Sequence, residues 1–169
     1  MTKWIRAAAL AAAAVAVQGC GMSRDGDPVA AAQGLLSAVQ TGDTKAFEAQ
    51  LDRPALRADL RQQIASLGRA EGVDLGGPSD PALDRMIDPQ NLHVVQADGG
   101  APLAAPPSKA QVAPLMKHLD GRRACLHDLT PDQRCLLTFA REPAGWRLVG
   151  MPAAELRIAV PAAPARKDG

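Results

Sequence analysis

The chain has 169 residues, and its 19 Lys and Arg are matched by 18 Asp and Glu for a formal charge of +1. With no long block of one sign, that balance excludes an electrostatic binder of nucleic acid. Tyr is absent and aromatic residues make up only 2% of the chain, so stacking platforms for bases or sugar rings are scarce and the core has to be aliphatic.

Residues 1–19 read as an export signal. Lys3 and Arg6 form a positive head, Ala7 to Val17 is an uninterrupted apolar run, and the small residue Gly19 stands directly before Cys20. The run is too short for a bilayer core, which takes about 20 apolar residues. Val17-Gln18-Gly19-Cys20 resembles the lipobox of bacterial lipoproteins, although Gln18 stands where a small or aliphatic residue is usual. The resemblance implies cleavage before Cys20, fatty (palmitate-type) acylation of its sulfur, and an acylated new amino terminus. Two or three chains on one residue would make release negligible, at about 0.8 kcal/mol per buried methylene. Gly21 occupies the place where an Asp marks inner-membrane retention, so the same resemblance implies the periplasmic face of the outer membrane. An ordinary cleaved signal followed by a chance cysteine is the alternative.

Residues 20–26 then form a lipidated tether, 27–160 a single domain and 161–169 a mobile tail of Pro, Ala and charged residues. Asp27-Pro28 is a helix start, with Asp as cap and Pro in the first turn. Val29, Leu35, Leu36 and Val39 mark its apolar face, and Thr41-Gly42-Asp43 stops it and caps a short helix over Thr44 to Leu51. Asp52-Arg53-Pro54 repeats the start signal. Leu56, Leu60, Ile64 and Leu67 line one side of the helix that follows, with Gly68 as its end. Arg53, Arg57 and Arg61 form a positive stripe on this helix, read as a solvated face with intrahelical pairs to Asp52 and Asp59. Asp80-Pro81 opens a further helix through Ile87. Asp88-Pro89 interrupts it, and Gln90 to Val95 reads as a turn. Ala97 to Ser108 is the least structured interior stretch by composition, and Ser108 caps a helix whose Val112, Leu115, Met116 and Leu119 share a face.

The pattern then turns to strands: Arg123 to His127, Gln133 to Phe139, a Glu142-Pro-Ala-Gly145 hairpin turn, Trp146 to Met151, and a short strand over Glu155 to Val160. Helices first and strands last predict an α+β fold, with N-terminal helices packed on a C-terminal antiparallel sheet of three or four strands. By analogy this is similar to the nuclear-transport-factor-2-like cone. Cys125 and Cys135 are read as a disulfide, because paired cysteines in an exported chain form one in an oxidising compartment. A hairpin centred on Thr130 places them opposite each other.

Three segments in this order resemble a bacterial envelope family known as domain of unknown function number 2939. They are Ala32 to Asp43, Leu51-Asp-Arg-Pro-Ala-Leu-Arg-Ala-Asp-Leu-Arg61 and Gly145-Trp-Arg-Leu-Val149, with Ile87-Asp-Pro-Gln-Asn-Leu92 as a middle start signal. The resemblance covers most of Val29 to Met151. Arg53 departs from it, standing where an apolar residue is usual. These motifs are caps, core leucines and a strand, so the family brings packing and no catalytic residues.

Candidate chemistry is sparse. His93, His118 and His127 are the only histidines, and no nucleophile elbow or zinc-ligand spacing accompanies them. The sequence therefore predicts no catalytic, cofactor or metal residue. His118 and His127 near Cys125 are the weak metal alternative, and Ser108 reads as a cap rather than a nucleophile. Trp146 either packs over the hairpin or anchors a protein interface. The expected function is a non-catalytic binding or accessory module, held at the envelope by lipid on Cys20 and meeting another envelope protein. A pocket protein for a small apolar ligand is the alternative, and an enzyme is the weakest reading.

Overall fold

The computed structural model describes residues 26–73 and 76–163. The apolar leader, Cys20 and the tail from 164 onward lie outside the described residues. Helix α1 (Pro28–Thr41) starts where Asp27 accepts a bond from the Val29 amide at 3.0 Å. It ends in a glycine turn. Gly42 takes φ +67°, its N–H bonds Val39 O, and the Asp43 N–H reaches back to Ala38 O, the paired bonds that close a helix on a left-handed residue. Asp43 then caps α2 (Thr44–Glu48) through the Ala46 amide. Helix α3 (Arg53–Ala70) is capped by Asp52 on the Ala55 amide.

Gly68 does not end α3, contrary to the sequence reading. It is buried inside the helix, and the left-handed residue is Gly72 at φ +66°. The closing bonds run from Gly72 N to Arg69 O and from Val73 N to Gly68 O. The position that needs a glycine is the one with positive φ, and composition alone did not say which. Helix α4 (Asp80–Met86) follows, then a 3-10 turn over Pro89–Asn91.

Strand β1 (Leu92–Gln96) occupies the segment read as a turn. Helix α5 (Lys109–Val112) lasts only four residues and passes through a 3-10 turn, Ala113–Leu115, into strand β2 (Met116–His118). The expected helix through Leu119 fails at Pro114, which cannot continue the hydrogen-bond ladder. Val112 and Leu115 are buried, whereas Leu119 is exposed. Strands β3 (Arg123–His127), β4 (Cys135–Glu142), β5 (Gly145–Gly150) and β6 (Leu156–Val160) complete the chain.

The fold is α+β. Strands β2-β3-β4-β5 form a four-stranded antiparallel sheet, and β1 and β6 form a separate parallel pair with Leu92 beside Leu156 and Val94 beside Ile158. Ala124, Leu126, Leu137, Phe139, Trp146 and Leu148 belong to the same core cluster as Leu35 and Leu36 of α1, Phe47 of α2, and Leu56 and Leu60 of α3. Full burial of each such large side chain is worth about 1.5–3 kcal/mol. The helix layer is stitched to β5 by Asp52 N to Leu148 O at 3.0 Å and Leu148 N to Gln50 O at 2.8 Å. Gly150 lets α3 approach, because a Cβ there would sit 3.2 Å from Thr138 Cβ and 3.3 Å from Asp59 Oδ2.

The arginine stripe of α3 also departs from expectation. Its partners lie on other helices. Arg53 binds Glu48 of α2 and reaches Asp84 Oδ1 at 3.0 Å. Arg57 grips Asp84 at 2.8 and 2.6 Å and touches Asp80 at 3.3 Å, and Arg61 pairs with Asp80. Asp59 faces the sheet instead, accepting from Gln63 Nε2 and the Met151 amide. The Arg57 hydrogen bond holds the Asp84 carboxyl below its ordinary range, and Arg53 does the same for Glu48. A lowered carboxyl pKa contributes stability above the ordinary carboxylate range that is lost as pH falls through the folded value. Asp84→Asn is therefore expected to lower the melting temperature at pH 7 and to leave it unchanged once the wild-type carboxyl is protonated, a difference that thermal scans across pH measure directly.

Candidate functional site

A trough runs between the last turn of α1 and the β1–β6 pair. One hollow of about 410 Å³ is lined by Val39 and Gln40 of α1, Leu92 to Val95 of β1, the Gly100–Pro102 turn, Glu155 and Arg157. A second of about 470 Å³ shares Val39, Leu92 and His93 and continues to Gly42, Thr44 and Asp88–Gln90. The parallel register builds its polar edge. His93 lies directly beside Arg157, because β1 and β6 alternate buried and exposed residues in phase over this stretch. His93 Nε2 meets Glu155 Oε1 at 2.9 Å, with both side chains solvent-accessible. Arg157 Nη2 donates to Gly100 O at 3.2 Å and Gln40 Nε2 to Leu103 O at 2.7 Å. The trough thus offers apolar residues, a His93–Glu155 contact and a guanidinium at its rim.

The residues singled out from sequence fall elsewhere. Cys125 and Cys135 are joined by a disulfide with Cα atoms 5.7 Å apart. They are not directly opposite: Cys125 faces Thr138 and His127 faces Cys135, with a bulge between Leu126 and His127. The turn is centred near Pro131 rather than Thr130, tightened by Asp128, whose carboxylate accepts from Thr130 N, Thr130 Oγ1 and Arg134 N. The bridge therefore runs diagonally across the ladder. Trp146 is 8% exposed and its ring meets His118 edge-on at 6.0 Å. His127 Nδ1 donates to Asp128 O at 2.8 Å. Ser108 opens α5, and its amide and hydroxyl both donate to Gln111 Oε1. Among the described residues, no group of three His, Cys, Asp or Glu could hold a metal, and no helix is long and apolar enough to cross a membrane.

The trough was not foreseen. His93 was visible as a histidine, but its partners come from a strand near the far end of the domain, and a parallel pairing at that separation leaves no local signal.

Residues 25–95 match the family described as Protein of unknown function (DUF2939). The DUF2939 match covers α1 to α4 and stops at Val95, inside β1. It therefore contains one wall of the trough, including Val39, Gln40 and His93, and leaves out Glu155, just before β6, and Arg157 on β6. The closing Gly145–Val149 strand, part of the resemblance read from sequence, lies beyond the match. No curated protein and no solved structure matches the chain.

Proposed function

We propose that this chain is a lipid-anchored envelope module that binds a partner in its trough and carries out no catalysis. The observation that carries the reading is the Gly19–Cys20 end of the apolar leader, standing seven residues before the Asp27 cap. A tether of that length reaches at most about 25 Å, so an acylated Cys20 keeps the domain close to the outer-membrane surface on its periplasmic side. The Cys125–Cys135 bridge supports export, because such bonds persist in oxidising compartments. The filled inner face of the sheet, with Leu126, Leu137, Phe139 and Leu148 all fully buried, supports a surface binder over a protein with an interior apolar pocket. His93 contacts Glu155, but among the described residues no serine or cysteine lines the trough. This favours recognition over nucleophilic chemistry.

Cell fractionation tests the anchor. The wild type is expected in the outer-membrane fraction and Cys20→Ala in the soluble fraction, with equal thermal stability of the folded domain. Wild-type protein in the soluble fraction would overturn the proposal.

A further inference from the structure

The turn between β2 and β3 concentrates positive charge on a chain whose formal balance is only +1. Lys117, Leu119, Arg122 and Arg123 are all exposed there. Asp120, the acid of the turn, is spent on the turn itself. Its Oδ1 accepts from Arg122 N and Arg123 N at 2.8 Å each, and its Oδ2 from Arg123 Nε at 2.8 Å. Leu119 N donates to Arg123 O at 2.9 Å and Arg141 N to Arg122 O at 2.8 Å, so both flanks of the turn are pinned. Arg123 stands opposite Ala140 on β4, whose short side chain leaves an open hollow of about 560 Å³ lined by Arg122, Arg123 and Arg141. Arg141 is itself engaged. Lys117 faces Cys125, two residues along β3 from Arg123, so the lysine and that arginine share a face of the sheet. Leu119 is 51% exposed among these cations.

We propose that this turn is a second membrane contact, in which Lys117, Arg122 and Arg123 meet anionic phosphate headgroups while Leu119 enters the apolar layer beneath them. It rests on the acylated anchor proposed above, which would hold the domain within about 25 Å of a bilayer. Tethering makes any further contact with that bilayer intramolecular, so a contact too weak to recruit a free chain still sets the orientation of a tethered one. Charge selects the occupant, since each Lys or Arg close to an anionic leaflet strengthens binding about fivefold. Leu119 separates a lipid surface from a dissolved anion. A dissolved phosphate would satisfy the guanidiniums and leave the leucine in water, whereas a bilayer interface takes cations at headgroup depth and apolar side chains just below. The backbone of the pinned turn needs no further ordering to present both, so little conformational entropy is lost on contact.

The mature chain carrying Cys20→Ala tests the turn with no lipid attached. At low salt and millimolar lipid it is expected to cosediment with vesicles of phosphatidylcholine and phosphatidylglycerol and not with phosphatidylcholine alone. Release is expected at about 1 M salt, where the Debye length is about 3 Å. In the same background, Arg122→Glu is expected to weaken binding by about tenfold or more and Leu119→Ser by about fivefold. Equal binding to both kinds of vesicle, or binding to neither, overturns the proposal. So does binding that is unchanged in Leu119→Ser and displaced by millimolar inorganic phosphate at constant ionic strength, which would mark a site for dissolved anions. Should Arg122→Glu fold poorly, the salt and lipid dependence of the unsubstituted turn decides alone. Acylation plays no part in this assay, so its failure leaves the anchor standing, and failure of the anchor is read separately by cell fractionation.

Discussion

Phe139→Ala is expected to destabilise the domain by about 3–5 kcal/mol, a large share of the roughly 5–15 kcal/mol that holds a domain of this size folded. Phe139 is fully buried in β4, between Ala124 on β3 and Leu148 on β5. It is one of very few aromatic side chains in the core, so no neighbour of similar size can move into the space it leaves. Truncation removes its transfer energy and opens a cavity bounded by strands on both sides and helices above. Phe139→Leu keeps most of the volume and is expected to cost much less. Urea denaturation of both variants measures the difference. A loss below about 1 kcal/mol for the alanine variant would mean that the helices and sheet do not share the single core described above.

The second large effect comes from the disulfide. Opening the bridge by Cys125→Ser with Cys135→Ser releases a closed loop of 11 residues, worth about 2.8 kcal/mol in the chain-entropy model. Cys125 is buried, so a serine at that position also brings a hydroxyl into apolar surroundings. The loop-closure part of the loss, without the hydroxyl cost, should also appear when the wild type is denatured under reducing conditions. If reduction left the urea midpoint unchanged, the bridge would not be a structural constraint on the β3–β4 hairpin.

Parts of the fold were legible because their determinants are local. Asp27-Pro28 and Asp52-Arg53-Pro54 mark helix starts through side chains that cap amides two or three residues away. Leu56 and Leu60 share a helix face by spacing alone, and Glu142-Pro-Ala-Gly145 closes its hairpin where Gly145 takes φ +118°. The misreadings are each non-local or hinge on one residue. Leu92–Gln96 is a strand only because β6 pairs with it after the whole antiparallel sheet has intervened. The α3 arginines look like a solvated stripe until α4 folds back to present Asp80 and Asp84. The disulfide was legible as a pair, but its offset was not, since a bulge leaves no signature in composition. The trough inherits the same difficulty, because His93, Glu155 and Arg157 meet only through the parallel register.

The anchor is the claim from which the compartment, the orientation and the search for partners all follow. The most direct measurement is the intact mass of the detergent-extracted protein from its native host, taken before and after reduction and thiol alkylation. The account predicts a mass for Cys20 to Gly169 plus acyl chains, with two alkylatable thiols appearing only after reduction. An unlipidated mass, or thiols that label without reduction, would contradict it.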